Sequence, residues 1–139
     1  MIVLQKNKKI YFASDNHLGN PSFQRTIDRE KKFVSWLDQI KSDAQVVFLL
    51  GDLFDFWFEY KSVIPKGFTR TFGKLAELSD MGIQIHFFVG NHDLWVRDYF
   101  KEELNIELIP ISFLRSKSCA IFGFLRSRPI SITFLSAKA

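Results

Sequence analysis

The chain has 139 residues, 47% of them apolar and 24% charged, which is enough for one globular domain with its own core and too short for two. The formal charge of +4 is unevenly spread, since all 15 acidic residues lie at or before Glu107, among 14 basic ones, whereas Leu108 to Ala139 carries five basic residues and no acid. The single Cys119 excludes an internal disulfide and fits a reduced, cytoplasmic compartment, and the lysines at 6, 8 and 9 follow an apolar stretch instead of preceding one, the wrong order for a secretory signal.

Lys9 to Ser14 is a short run of β-formers that stops at Asp15 and a Gly, Asn and Pro cluster, so a strand ending in a loop is expected. Arg25 to Lys41 places Ile27, Phe33, Leu37 and Ile40 at helical spacing with charges between them, a helix with one buried stripe. Gln45 to Leu50 has no polar alternation, which suits a strand buried on both faces of a parallel sheet. Phe68 to Leu78 predicts a second amphipathic helix, with Gly82 as its terminator. Ile83 to Val89 reads as a third strand and Ile106 to Ile111 as a fourth. This order predicts an α/β layered domain over residues 1–111. The late apolar stretch, Cys119 to Leu135, is broken by Arg126, Arg128 and Pro129, and so falls short of the ~20 residues that cross a bilayer.

Ligands of such sheets bind beyond the carboxyl ends of the strands. Three polar motifs fall there. Asp15 and His17 are two apart, so in extended chain they point to one face and can grip one cation with a hard oxygen and an imidazole nitrogen. Alone, such a pair is more commonly an Asx-turn beside a surface histidine. Gly51-Asp52-Leu53-Phe54-Asp55 adds carboxylates after a buried strand, with Gly51 allowing a tight turn or a close backbone approach; a helix-capping Asp is the simpler reading of that motif in isolation. Gly90-Asn91-His92-Asp93 stacks an amide oxygen, an imidazole and a carboxylate at one strand end. Chance would have to place metal-type ligands on three separate loops at one sheet edge, and that is the less economical account.

In this order, Asp-x-His, Gly-Asp-x-x-Asp and Gly-Asn-His-Asp resemble the calcineurin-like metallophosphoesterase superfamily, over about Lys9 to Ile111. The resemblance implies a layered β-sandwich flanked by helices, of which only the amino-terminal βαβαβ half is present, and two divalent metal ions, manganese being the expected one. It implies that Asp15 and His17 hold the first ion, that Asp52 bridges both and that Asn91 holds the second. Asp55 would orient His92, which would stabilise phosphoryl oxygens or protonate the leaving group. Ser14 to Gly19, Gly51 to Trp57 and Trp57 to Tyr60 look most similar to the UDP-2,3-diacylglucosamine diphosphatases of lipid A synthesis. That likeness implies a nucleotide-linked lipid substrate, peripheral contact with the inner membrane and no nucleic-acid partner. The pattern departs from those diphosphatases at His92, where they carry Arg.

Phe54, Phe56, Trp57, Phe58 and Tyr60 form an aromatic run beside the motifs; it suits acyl chains, and ordinary core packing is the simpler reading. Lys61, Lys66 and Arg70 suit a diphosphate or a solvated helix start equally, and His86 reads as a hydrogen-bonded structural histidine. The superfamily closes its site with a further His and a Gly-His-x-His motif, whereas the histidines here are only His17, His86 and His92. An underfilled site and impaired turnover are therefore expected. Residues 112–139 lose all acids and clear periodicity, as an atypical basic tail, a frameshift or an early end of the coding sequence would produce.

Overall fold

The computed structural model describes residues 3–21 and 26–110, together with the backbone of Thr133–Ser136. Its elements are β1 (Lys9–Ser14), α1 (Thr26–Ile40), β2 (Ala44–Leu50), α2 (Thr69–Asp80), β3 (Gln84–Phe88), α3 (Tyr99–Leu104), β4 (Glu107–Ile109) and β5 (Thr133–Ser136). All strand pairs are parallel, in the order β4-β3-β2-β1-β5. The chain steps from β1 to β4 in one direction through three helical crossovers. Right-handed crossovers that advance in one direction deliver their helices to one face of the sheet.

That face carries the larger core. Phe33, Trp36, Leu37 and Ile40 of α1, spaced i, i+3, i+4 and i+7, are buried with Leu75 and Leu78 of α2 and Phe100 and Leu104 of α3. They pack on Tyr11, Ala13, Val47, Leu49, Ile85 and Phe87, alternate positions of β1, β2 and β3. The intervening positions, Ile10, Phe12, Val46, Phe48 and Phe88, form a second buried cluster on the other face. Strands with both faces buried read as continuous apolar runs, which is why β2 shows no alternation.

Both later helices start against a buried glutamate from elsewhere. Glu30 of α1 accepts hydrogen bonds from the backbone N–H groups of Arg70 and Thr71, at 3.0 and 3.1 Å, and so caps α2, whose own cap position, Phe68, supplies no side-chain bond. Glu59 accepts from Arg97, Asp98 and Tyr99 at 2.8–2.9 Å and caps α3 in the same way. Each carboxylate satisfies amide groups that an isolated helix end leaves unpaired.

The predicted strands and helices fall within a few residues of their observed bounds. The six residues of α3 make fewer than two turns, too few for a periodicity to register, so this helix is an addition to the expected elements. Of the expected tail, the described residues are Thr133–Ser136, which add β5 beside β1 with Tyr11 opposite Thr133; the remainder lies outside the described residues. The described residues form one sheet, and the second sheet of the expected sandwich is not among them. No described helix is long and apolar enough to cross a membrane.

Candidate metal centre

The carboxyl ends of β1, β2 and β3 converge on one polar cluster. Asp15, His17 and Asp52 adopt left-handed backbone conformations, with φ of 53°, 43° and 52°. Such a conformation is uncommon outside glycine, and each instance costs roughly 1–3 kcal/mol unless its surroundings hold it. Here backbone pairing between the first two loops does so: Asp15 N–H donates to the Gly51 carbonyl (3.3 Å), His17 N–H to the Asp52 carbonyl (2.9 Å) and Leu18 N–H to the Leu53 carbonyl (2.9 Å). Asp55 N–H returns the pairing to Leu18 (2.9 Å), and Arg29 of α1 donates to the His17 carbonyl (2.9 Å).

The second and third loops are joined by carboxylates. Asp52 Oδ1 accepts from His92 N–H (3.0 Å), while the buried Asp93 accepts from Leu53 N–H (2.9 Å) and Gly90 N–H (2.6 Å). Burial pushes the Asp93 carboxyl above the usual range, and its backbone donors oppose that rise only in part. Asp93 closes the Gly-Asn-His-Asp motif, and its position makes it the tie between two loops.

Ligand-type atoms gather in two overlapping groups. Those of Asp15, His17 and Asp52 lie within 4.8 Å of one another, as do those of His17, Asp55 and His92. Two carboxylates and an imidazole at that separation suit a divalent cation: hard oxygens and a borderline nitrogen match its ligand preference, and the cation offsets the repulsion of neighbouring carboxylates. Asn91 is exposed at the head of the third loop, adjacent to His92.

His92 and His17 meet edge to face, with ring centroids 4.7 Å apart. His92 Nδ1 donates to the main-chain carbonyl of Asp55 at 2.7 Å, and the Asp55 carboxylate stands 4.0 Å away. That same carboxylate lies 3.4 Å from His17 Nδ1 and accepts from Asn20 Nδ2 at 2.7 Å. The contact between Asp55 and His92 thus runs through the backbone, and the side chain of Asp55 stands nearer His17. The Asp55 carbonyl raises the pKa of His92 against a smaller opposing effect of burial, with Asp52, Asp55 and Asp93 adding to the rise.

The aromatic run divides. Phe54 and Trp57 are fully buried, their ring centroids 4.6 Å apart, and Trp57 packs on Phe100 of α3. Phe56, Phe58 and Tyr60 are exposed. Core packing therefore accounts for two of the five. Lys61 and Lys66 are exposed, and Arg70 lies 3.8 Å from the Glu30 carboxylate. His86 stacks on Phe48 with its Nδ1 2.9 Å from the Glu107 carboxylate, but neither of its ring nitrogens makes a well-directed hydrogen bond, so the hydrogen-bonded histidine expected there is not found.

A parallel sheet with carboxylates and imidazoles gathered at its carboxyl edge in this order is the framework of a metal-dependent phosphoesterase. The chain belongs to the calcineurin-like phosphoesterase family, whose model matches residues 8–132. Among curated proteins it is similar to the UDP-2,3-diacylglucosamine hydrolase of Porphyromonas gingivalis, at 51% identity over 96 residues, covering 69% of this chain and 37% of the relative. It also resembles the enzyme of the same name from Haemophilus influenzae, at 31% identity over 106 residues, covering 74% of this chain and 41% of the relative. The chain thus spans well under half the length of these relatives. Among solved structures, the Pseudomonas putida nuclease MPE aligns with 71% of this chain and 46% of its own, at 18% identity and a TM-score of 0.47.

Proposed function

We propose that this chain carries the amino-terminal part of a phosphoanhydride-hydrolysing centre acting on a nucleotide-linked lipid, UDP-2,3-diacylglucosamine, to release UMP and 2,3-diacylglucosamine 1-phosphate. The observation that carries the reading is the convergence of Asp15, His17, Asp52, Asp55 and His92 at one sheet edge; the names of the relatives supply the substrate.

Asp15, His17 and Asp52 would hold a first divalent ion, and Asp52 with Asn91 a second, manganese being the expected metal. When bound, such ions supply Lewis-acid polarisation of phosphoryl oxygens and activation of water at neutral pH. His92 commits Nδ1–H to the Asp55 carbonyl, which leaves Nε2 as the catalytic face. In the protonated imidazole Nε2 is a donor, and in that state His92 stabilises developing phosphoryl charge or gives its proton to the leaving oxygen. Asp55 acts in two ways: its carbonyl orients His92, and its carboxylate, held by Asn20, stands beside His17.

With no histidine after His92, two imidazole-bearing motifs of the superfamily have no counterpart among these 139 residues. We propose accordingly that turnover by this chain alone is low. Incubation with the lipid-linked UDP sugar and manganese, followed by separation of UMP and lipid phosphate, tests the substrate. Release of inorganic phosphate, or cleavage of simple phosphate esters with none of the UDP lipid, assigns the centre to another ester instead.

A further inference from the structure

The sheet edge holds two ligand sets of different chemistry, and they share one residue. Asp15, His17 and Asp52 offer two carboxylates and one imidazole, whereas His17, Asp55 and His92 offer one carboxylate and two imidazoles. The first set suits a hard, oxygen-preferring ion such as manganese or magnesium; the second suits a borderline ion such as zinc, for which imidazole is a favoured ligand. Orientation of His92 and proton transfer account for Asp55 and His92, and leave unexplained why the His17 ring joins them.

His17 Nδ1 is fully buried and has no hydrogen-bond partner, although Asp55 Oδ1 lies 3.4 Å away. A buried polar atom left unpaired costs free energy, and a bound ion is one of its ordinary explanations. Zinc bonds of ~2.0–2.2 Å place neighbouring ligand atoms of a tetrahedral site roughly 3.3–3.6 Å apart, and the separation of His17 Nδ1 from Asp55 Oδ1 falls in that range. His92 completes the three, with its ligand atom within 4.8 Å of the others. Its side chain is 40% exposed, which leaves the ring room to close onto a shared ion.

The neighbouring hydrogen bonds favour coordination. Asn20 Nδ2 donates to Asp55 Oδ1 at 2.7 Å, and His92 Nδ1 donates to the Asp55 carbonyl at 2.7 Å, which leaves Nε2 as the lone-pair nitrogen. Ligating histidines commonly donate their other N–H to a carbonyl, and ligating carboxylates are commonly hydrogen-bonded in turn. A protonated His17 paired with Asp55 would account for that contact alone. His92, with its ring centroid 4.7 Å from that of His17, would then face a like charge whenever it too is protonated.

We propose that His17, Asp55 and His92 form a separate metal site that takes zinc or a similar nitrogen-preferring divalent ion. A neutral imidazole has one lone-pair nitrogen, so His17 serves one ion at a time. Zinc here withdraws His17 from Asp15 and Asp52, occupies His92, and so inhibits the phosphate chemistry proposed above. Only that inhibitory consequence rests on the proposed function; the site itself rests on the three side chains.

The test uses the full chain carrying Cys119→Ser, so that no thiolate competes for zinc. The metal-free protein is titrated by calorimetry at about pH 8, well above the ordinary imidazole pKa of ~6.5. A single zinc ion is expected to bind, and cobalt(II), its spectroscopic stand-in, to develop the visible absorption of a four-coordinate site. His92→Ala and Asp55→Asn should each weaken zinc at least about tenfold, the loss that even an outer contact produces, while Asp15→Asn/Asp52→Asn stays within a few-fold. Manganese should show the reverse order, and saturating zinc should suppress manganese binding to the parent chain. Circular dichroism establishes that the variants are folded. Absence of zinc binding, or zinc affinity unchanged by His92→Ala or by Asp55→Asn, overturns the proposal. So does zinc affinity lost in Asp15→Asn/Asp52→Asn, or manganese binding undisturbed by saturating zinc. Product release in manganese alone tests the proposed function separately, so failure of the zinc site leaves that reading standing.

Discussion

Gly51 and Gly90 meet back to back where the second and third loops leave the sheet. A Cβ on Gly51 would lie 3.0 Å from Gly90 Cα, and a Cβ on Gly90 would lie 2.3 Å from Asp52 Oδ1 and 2.5 Å from Asp52 N. The second clash involves backbone and cannot be relieved by a rotamer change. Gly90→Ala should therefore displace Asp52, lowering stability by about 1–3 kcal/mol and weakening manganese binding at the same time. Urea denaturation and calorimetric titration read the two effects; an alanine variant as stable as wild type would mean that the loops part freely.

On the proposed assignment, in which Asp52 would serve both ions, metal binding should depend most on Asp52. Asp52→Ala is expected to abolish measurable manganese binding, Asp15→Ala and Asn91→Ala to weaken it by about 10–100-fold, and the exposed control Asp80→Ala to change nothing. Equal titrations for Asp52→Ala and Asp80→Ala would remove the assignment of the centre.

Glu59 offers a prediction in pH. Burial works to raise its pKa, and the backbone N–H groups of Arg97, Tyr99 and Asp98 together outweigh that effect and hold it below its ordinary value of 4.5. A carboxyl whose folded pKa is depressed contributes stability that is present above the unfolded pKa and lost as pH falls through the folded one. Glu59→Gln, which keeps the shape but turns an NH2 group toward backbone donors, should cost about 1–3 kcal/mol at pH 7. The gap between wild type and variant should then narrow below about pH 4.5. Thermal unfolding from pH 3 to 7 measures it, and a gap independent of pH would show that the carboxylate charge is not what caps α3.

Turnover by this chain should fall far below that of a full-length relative assayed alongside it, because His86 is the one other histidine and it lies stacked on Phe48 in the opposite core. His92→Ala should reduce whatever activity remains by about 10²–10⁴-fold while leaving manganese affinity within a few-fold. Full activity from the purified chain would show that the missing imidazoles are dispensable.

Much of this was legible in the sequence for a simple physical reason: buried parallel strands are continuous apolar runs, their carboxyl ends are marked by glycine and polar clusters, and amphipathic helices repeat their apolar positions. The run of β-formers from Lys9 to Ser14 is β1 at its observed bounds, and the polar motifs that follow the strands contain Asp15, His17, Asp52, Asp55 and His92. What the sequence could not state was contact. Glu30 caps α2 and Glu59 caps α3 from about 40 residues away, and Asp93 ties Leu53 to Gly90 across the gap between two strands. Local pattern holds no trace of such pairs, since only the folded sheet brings the loops together. The same limit governs the aromatic run. Five neighbouring rings look alike in sequence, and it took the backbone from Trp57 to Tyr60, tied by hydrogen bonds from Trp57 to His92 and from Glu59 to Trp95, to turn Trp57 into the core and Phe58 and Tyr60 out of it.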